Sequence, residues 1–327
     1  MTPNTMPHLV FRRPQRGFTL VEMIVAIVLT AIIAGTLVLF IRRPVTSYLD
    51  SAGRAEMTDV ADLALRRMAR EIRASLPNSA RLTPPSAQNG GVLNLEFIPT
   101  FGGGRYLSVE DSTVNGTPLS FTSLTANTFS VVGSVPPIQL PPPARQDYLA
   151  IYNLGAGFQD ADAYAGTNLA RITGLPTVTA GGQTIQNISF SSLAAADLPA
   201  GSTVSTVANP FAVPANAATP RPANMSPDQR FQVVGKPVIF RCAGNASGTG
   251  TLTRSVAATF STTPSAPTAA AGALLANNVV ACDVTIDSNA HRQSALVGLT
   301  LTLGRTRPDG VLETVTLIHQ IHVDNTP

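Results

Sequence analysis

The hydrophobic pattern divides the chain into an unbroken apolar run, a striped helix and a long strand-rich remainder. Residues 23–41 hold no charged side chain. At about 1.5 Å rise per residue they make roughly 28 Å of helix, enough to cross a bilayer core. Beyond the run, Met57, Val60, Ala61, Ala64, Leu65, Met68 and Ile72 recur at three- and four-residue spacing, which predicts one apolar stripe along a helix. Asp50 and Arg54, and Asp62 and Arg66, stand four apart in the order that supports helix. Pro44 removes a backbone donor and Gly53 loosens a turn, so the helix over 18–76 is expected to be interrupted or bent near both. Leu76-Pro77-Asn78 ends it.

From Arg81 onward the pattern changes. Pro84-Pro85, Asn89-Gly90-Gly91, Gly102-Gly103-Gly104, Pro136-Pro137 and Pro141-Pro142-Pro143 punctuate short runs rich in Val, Ile, Phe, Tyr and Thr. Strands are predicted at Val92–Pro99, Tyr106–Val109, Asn127–Val132 and Asp147–Asn153, and again at Phe231–Val234, Pro237–Cys242 and Thr251–Val256. Val279–Ile286, Leu296–Leu303 and Glu313–Val323 alternate around the Asp309-Gly310 turn and close the chain. Residues 191–228 and 257–273 are Ala/Pro/Ser/Thr-rich, without periodicity, and read as long surface loops. The fold class expected is α+β: a long N-terminal helix and a mostly antiparallel β head. The domain division expected is 1–17, 18–76 and 77–327.

Composition narrows the partners. The 327 residues carry a net charge of +3, and only 13% are charged. Of the 22 basic residues, three precede Gly17, which leaves 19 against 19 acids. Arg66, Arg67, Arg70 and Arg73 share the helix face opposite the apolar stripe and read as a solvated or subunit-facing surface. No basic face exists elsewhere, so no nucleic-acid partner is expected.

The residues before the apolar run decide what the run is for. Residues 8–17 are polar and basic, with Arg12, Arg13 and Arg16, and Glu22 sets a carboxylate in an otherwise lipid-compatible helix. A charge there costs on the order of 2–3 kcal/mol or more unless partnered. An ordinary anchor with one stray charge is the plain alternative. A secretory signal would need a shorter apolar core and a small-x-small site after it. The string Gly17-Phe18-Thr19-Leu20-Val21-Glu22 resembles the class III signal of type IV prepilins and type II secretion pseudopilins. That resemblance implies cleavage after Gly17 by an inner-membrane prepilin peptidase, methylation of the new N-terminus at Phe18, and retention of Glu22 for filament assembly. It also implies a single-pass inner-membrane anchor with a periplasmic head, although Arg42 and Arg43 on the far side weaken the charge argument for that orientation. In an oxidising periplasm, the two cysteines, Cys242 and Cys282, most simply pair.

Little else suggests chemistry. His319 and His322, three apart on a strand, point to opposite faces and do not chelate one metal. His8 and His291 stand apart from them. Gln159-Asp160-Ala161-Asp162-Ala163-Tyr164 is either part of a calcium site or, as favoured, an exposed acidic turn. No nucleophile elbow, phosphate loop or Cys-x-x-Cys is present. No enzyme, cofactor or metal is expected.

Further segments are similar to the MshO proteins, minor pilin-like components of the mannose-sensitive haemagglutinin (MSHA) pilus. They are Tyr48-Leu49-Asp50, Ala64–Arg73, Leu76–Arg81, Tyr152–Gly155, Asp162–Gly166, Leu274–Asn278, Ala281-Cys282 and the ending His319–Pro327. The resemblance implies a minor subunit that initiates, caps or assembles an MSHA-type pilus. Its partners would be other major and minor pilins, the inner-membrane assembly platform and membrane lipid. A type II secretion minor pseudopilin and a pilus-tip adhesin remain the alternatives.

Overall fold

The computed structural model describes residues 17–83, 91–111, 115–140, 145–158, 160–213, 225–264, 267, 272–287 and 294–326. Expectations for the leader with His8, for the proline and glycine punctuation at 84–90 and 141–143, for Gln159, for His291, for Pro327 and for parts of both low-complexity stretches lie outside them. The chain divides into two compact units, one ending at Glu56 and one beginning at Met57.

Helix α1 spans Leu20–Arg73, 54 residues. It is unbroken through Pro44 and Gly53, where an interruption is expected from sequence, and it stops short of residue 76. A proline deletes one backbone hydrogen bond, and the turns on either side keep theirs. Within the first unit, Leu20–Val38 is long and apolar enough to cross a membrane, and none of it is buried inside the protein.

The second unit is built on two antiparallel sheets. Its first strands are β1 Arg81–Thr83, β2 Val92–Phe97, β3 Thr100–Tyr106, β4 Thr128–Val132 and β5 Tyr148–Ala150. Then come β6 Leu169–Gly174, β7 Thr177–Ala180, β8 Gln183–Ser191 and β9 Arg230–Val234. Strands β10 Val238–Ala243, β11 Gly250–Val256, β12 Ala273–Ile286, β13 Ser294–Thr306 and β14 Leu312–Asp324 complete it. One sheet runs β1-β2-β10-β11-β12-β13-β14 and the other β4-β3-β9-β5-β6-β8-β7.

The stripe predicted on the helix is the face that packs. Met57, Ala61, Ala64, Leu65, Met68 and Ile72 are buried against Leu93, Leu95, Phe240, Leu252, Val297 and Leu299 of the first sheet. Arg66 and Arg67 stay on the open side, paired four residues away with Asp62 at 2.7 Å and Glu71 at 3.4 Å. The second sheet is covered on both faces. In β5 and just beyond, Leu149 and Ile151 enter a core with Phe129, Phe190 and Phe231. Tyr148 and Ala150 enter another with Leu76, Tyr164 and Phe260.

The glycine triplet read as a turn lies inside β3, and Tyr106 ends that strand rather than starting one. The reason is crowding. A Cβ on Gly102 would meet the Pro136 side chain at 2.8 Å, and one on Gly104 would meet the Phe231 ring at 2.8 Å. The stretch 191–228 is also less loose than expected over its described part. Phe211 is buried with Phe190, and Asn209 donates to the carbonyls of Ser120 and Ser123.

Candidate functional site

The candidate site lies at the start of α1. Thr19 stands just before the helix and Glu22 sits three residues on. The Thr19 amide donates to Glu22 Oε2 at 3.1 Å, and the Glu22 amide donates to Thr19 Oγ1 at 3.2 Å. The Thr19 hydroxyl also donates to Oε2, at 3.1 Å. This is a capping box, in which two of the orphan amides of a helix start are satisfied reciprocally. A carboxylate in the first turn also meets the positive end of the helix dipole. The partner that the sequence left unnamed for Glu22 is within its own chain, since one carboxylate oxygen is held by Thr19. The spacing Thr19-x-x-Glu22 before an apolar run is itself a capping-box signature, so Thr19 was legible and missed. Oε1 makes no hydrogen bond with the described residues. Gly17 and Phe18 precede the cap and are exposed, Phe18 to 83%.

Residues 12–38 match the prokaryotic N-terminal methylation motif. The chain thus carries a prepilin-type class III signal on an apolar N-terminal helix, the mark of a type IV pilin-like or pseudopilin subunit. Such a signal implies processing by prepilin peptidase, membrane anchoring and assembly with other pilins. No curated protein and no solved structure matches the chain.

Several segments distant in sequence converge in the head. Asn78 Nδ2 donates to the Asn153 carbonyl at 3.0 Å, and its amide donates to Asn325 Oδ1 at 3.2 Å. Asn153 Nδ2 returns a bond to the Pro77 carbonyl, and Asn153 Oδ1 accepts from the Ala163 amide at 3.0 Å. The Tyr164 hydroxyl donates to the Ser79 carbonyl at 2.8 Å, while Arg81 lies 3.4 Å over the Tyr164 ring. Gly155, at φ +100°, passes so close to the chain that a Cβ would meet the Asn78 carbonyl oxygen at 2.8 Å. Burial and the nearby Glu96 carboxylate push the Tyr164 phenol well above its ordinary pKa. Chain segments from residues 77, 153, 163 and 325 are joined by amide side chains that are themselves satisfied. Such a knot orders a fold rather than receiving a ligand.

The acidic turn is not exposed. Asp160 and Asp162 are 7% and 5% exposed, and Asp162 accepts from the amides of Tyr164 and Gly157 at 2.9 and 3.3 Å. Its short side chain caps its own loop, as aspartate does in a turn. His319 and His322 face opposite sides of β14, which leaves His322 exposed. Among the described residues no group of three or more His, Cys, Asp or Glu is placed to hold a metal ion. Cys242 on β10 and Cys282 on β12 are joined in a disulfide.

Proposed function

We propose that this chain is a minor prepilin-like subunit that helps initiate, cap or assemble an MSHA-type type IV pilus, its role structural rather than catalytic. Peptidase cleaves after Gly17, Phe18 becomes the methylated N-terminus, residues 18–76 serve as anchor and assembly helix, and residues 77–327 form a periplasmic head. The observation that carries the reading is the methylation motif set directly on a capped apolar helix. The MshO-like segments and a head of about 250 residues favour a low-copy subunit over a close-packed major pilin.

Glu22 gains a specific role in this reading. Cleavage creates a cationic amine at Phe18, next to the positive pole of its own helix, where it is poorly placed. The cap holds Glu22 through Oε2 and leaves Oε1 to accept the Phe18 amine of a neighbouring subunit. Pairing the two in a low-dielectric filament core relieves both charges together, whereas either alone is costly. Glu22→Gln keeps an oxygen for the Thr19 cap and removes the charge. The variant is expected to insert, to be cleaved and to fold its head. Its cross-linking to other pilins, and the piliation of cells that carry it, should fall. Normal partner capture and normal piliation by the Gln variant would show that the carboxylate serves only to cap its own helix.

A further inference from the structure

One large cavity in the head has no part in the reading above. It measures about 770 Å³ and opens among the C-terminal turn of α1, β3, β5, β6, β10 and β11. That volume suits a ligand of several residues or a small organic molecule. Its charge is lopsided. Arg70, Arg145, Arg171, Lys236 and Arg254 line it, against the carboxylates of Glu71 and Asp197.

The ion pairs do not remove the excess. Asp147, buried behind the wall, holds Arg145 at 2.7 Å. Glu71 is shared between Arg254 at 2.8 Å and Arg67 at 3.4 Å. Asp197 is shared between Arg171 at 3.3 Å and Lys236 at 3.6 Å, and it also accepts the Tyr148 hydroxyl. Each of these two carboxylates therefore answers two cations. Arg70 makes no ion pair among the described residues. Guanidinium groups held in a partly enclosed, low-dielectric recess attract a further carboxylate more strongly than they would in open water.

Much of the remaining wall is apolar, with Pro99 and Val256 presenting aliphatic surface while Val238 is buried behind them. It offers no open aromatic plate of the kind a sugar ring stacks on. Arg145 covers the Phe101 ring at 3.3 Å from its centroid, and Tyr148 is fully buried. Cations beside aliphatic wall match an acidic side chain flanked by apolar ones.

We propose that this cavity binds an acidic polypeptide segment, a carboxylate meeting Arg70 and Arg254 while an apolar neighbour rests on Pro99 and Val256. Every lining residue lies after Met57, so the proposal stands or falls apart from the use of the N-terminal signal.

The test uses the full chain in detergent micelles and fluorescence polarisation of a labelled peptide of alternating Glu and Val, with empty micelles as baseline. A Lys/Val peptide and a carboxylated monosaccharide are the comparison probes. Saturable binding of the Glu/Val peptide, weakened by added salt, is expected. Arg70→Gln, at an exposed site without an ion pair, should weaken it about tenfold, the scale of one hydrogen bond to a charged group. Val256→Glu, at a residue 55% exposed, should weaken it at least as much by setting a like charge in the wall. Unchanged Glu/Val affinity in both variants, or equal binding of the Lys/Val peptide, would overturn the proposal. Binding of the monosaccharide with none of the peptide would overturn it in favour of a glycan site.

Discussion

At the scale of single residues, the N-terminal signal separates what the fold needs from what an enzyme acting on the chain needs. A Cβ built on Gly17 meets nothing within 4 Å, and the backbone there needs no left-handed conformation. The fold is therefore indifferent to the side chain at 17. Any effect of Gly17→Leu on processing then reports on the peptidase, which must bring a backbone bond beside a membrane-embedded active centre. Mass spectrometry of the native protein is expected to begin at a methylated Phe18, and Gly17→Leu should accumulate as full-length precursor. A mature start beyond Ile41 would instead mean an ordinary secretory signal and would sink the prepilin reading. Thr19 and Glu22 are different, because the fold does use them. A Thr19→Ala change removes the capping hydroxyl, typically worth about 1 kcal/mol of helix stability, so a loss of assembly in that variant has two readings. Glu22→Gln keeps the cap and isolates the charge.

At the scale of elements, legibility followed how much of a segment's environment was local. The stripe on α1 and the alternation of β13 and β14 were readable because one face meets a core and the other meets solvent along their whole length. The hairpin of β7 and β8 was missed, although its signal was present. Gly181 and Gly182, at φ +59° and +77°, form a two-residue turn between paired Ala180 and Gln183, the Gly-Gly type of link that joins twisted strands. Strand β3 was not readable, because its glycines answer to Pro136 and Phe231, far along the chain. The cavity cations were equally hidden, since five separate segments supply them. The disulfide belongs to this scale as well. Sheet order places β11 between β10 and β12, yet Cys242 and Cys282 join the outer two. Glycines allow the approach: a Cβ on Gly244 would meet the Val280 carbonyl oxygen at 2.7 Å. The bridge closes a loop of 40 residues. By the chain-entropy model such a loop constrains the unfolded chain by about 4 kcal/mol. Ellman titration of the denatured, unreduced protein should find no thiol, and Cys242→Ser with Cys282→Ser should lower the melting temperature by several degrees. Two free thiols in the native protein would remove the claim.

At the scale of the whole head, the titratable groups are distributed unevenly, and this sets how it should fail in alkali. The core between α1 and the first sheet is made of aliphatic residues, phenylalanine and cysteine. Three of the chain's five tyrosines are buried around the second sheet: Tyr106 in one of its cores, Tyr148 and Tyr164 in the other. Burial pushes the Tyr106 phenol up to about 12, opposed by its hydrogen bond to the Ser226 carbonyl. Burial, followed by the hydrogen bond to Asp197, raises Tyr148 further, and Tyr164 moves in the same direction. A phenol whose folded pKa exceeds its unfolded value of about 10 stabilises the fold fully below that value. The contribution then declines as pH rises, and for Tyr106 it is gone once pH passes about 12. Loss of stability should therefore start near pH 10, roughly the unfolded value, with the second sheet bearing it. Both sheets lie in one compact unit, so the first sheet should follow in the same transition. The measurement is an alkaline titration of the full chain in detergent, recording phenolate absorbance and strand circular dichroism together. Delayed phenolate formation that coincides with loss of dichroism is the expected result. Complete ionisation of all five tyrosines near pH 10 with the dichroism unchanged would show that the three buried phenols do not constrain the fold.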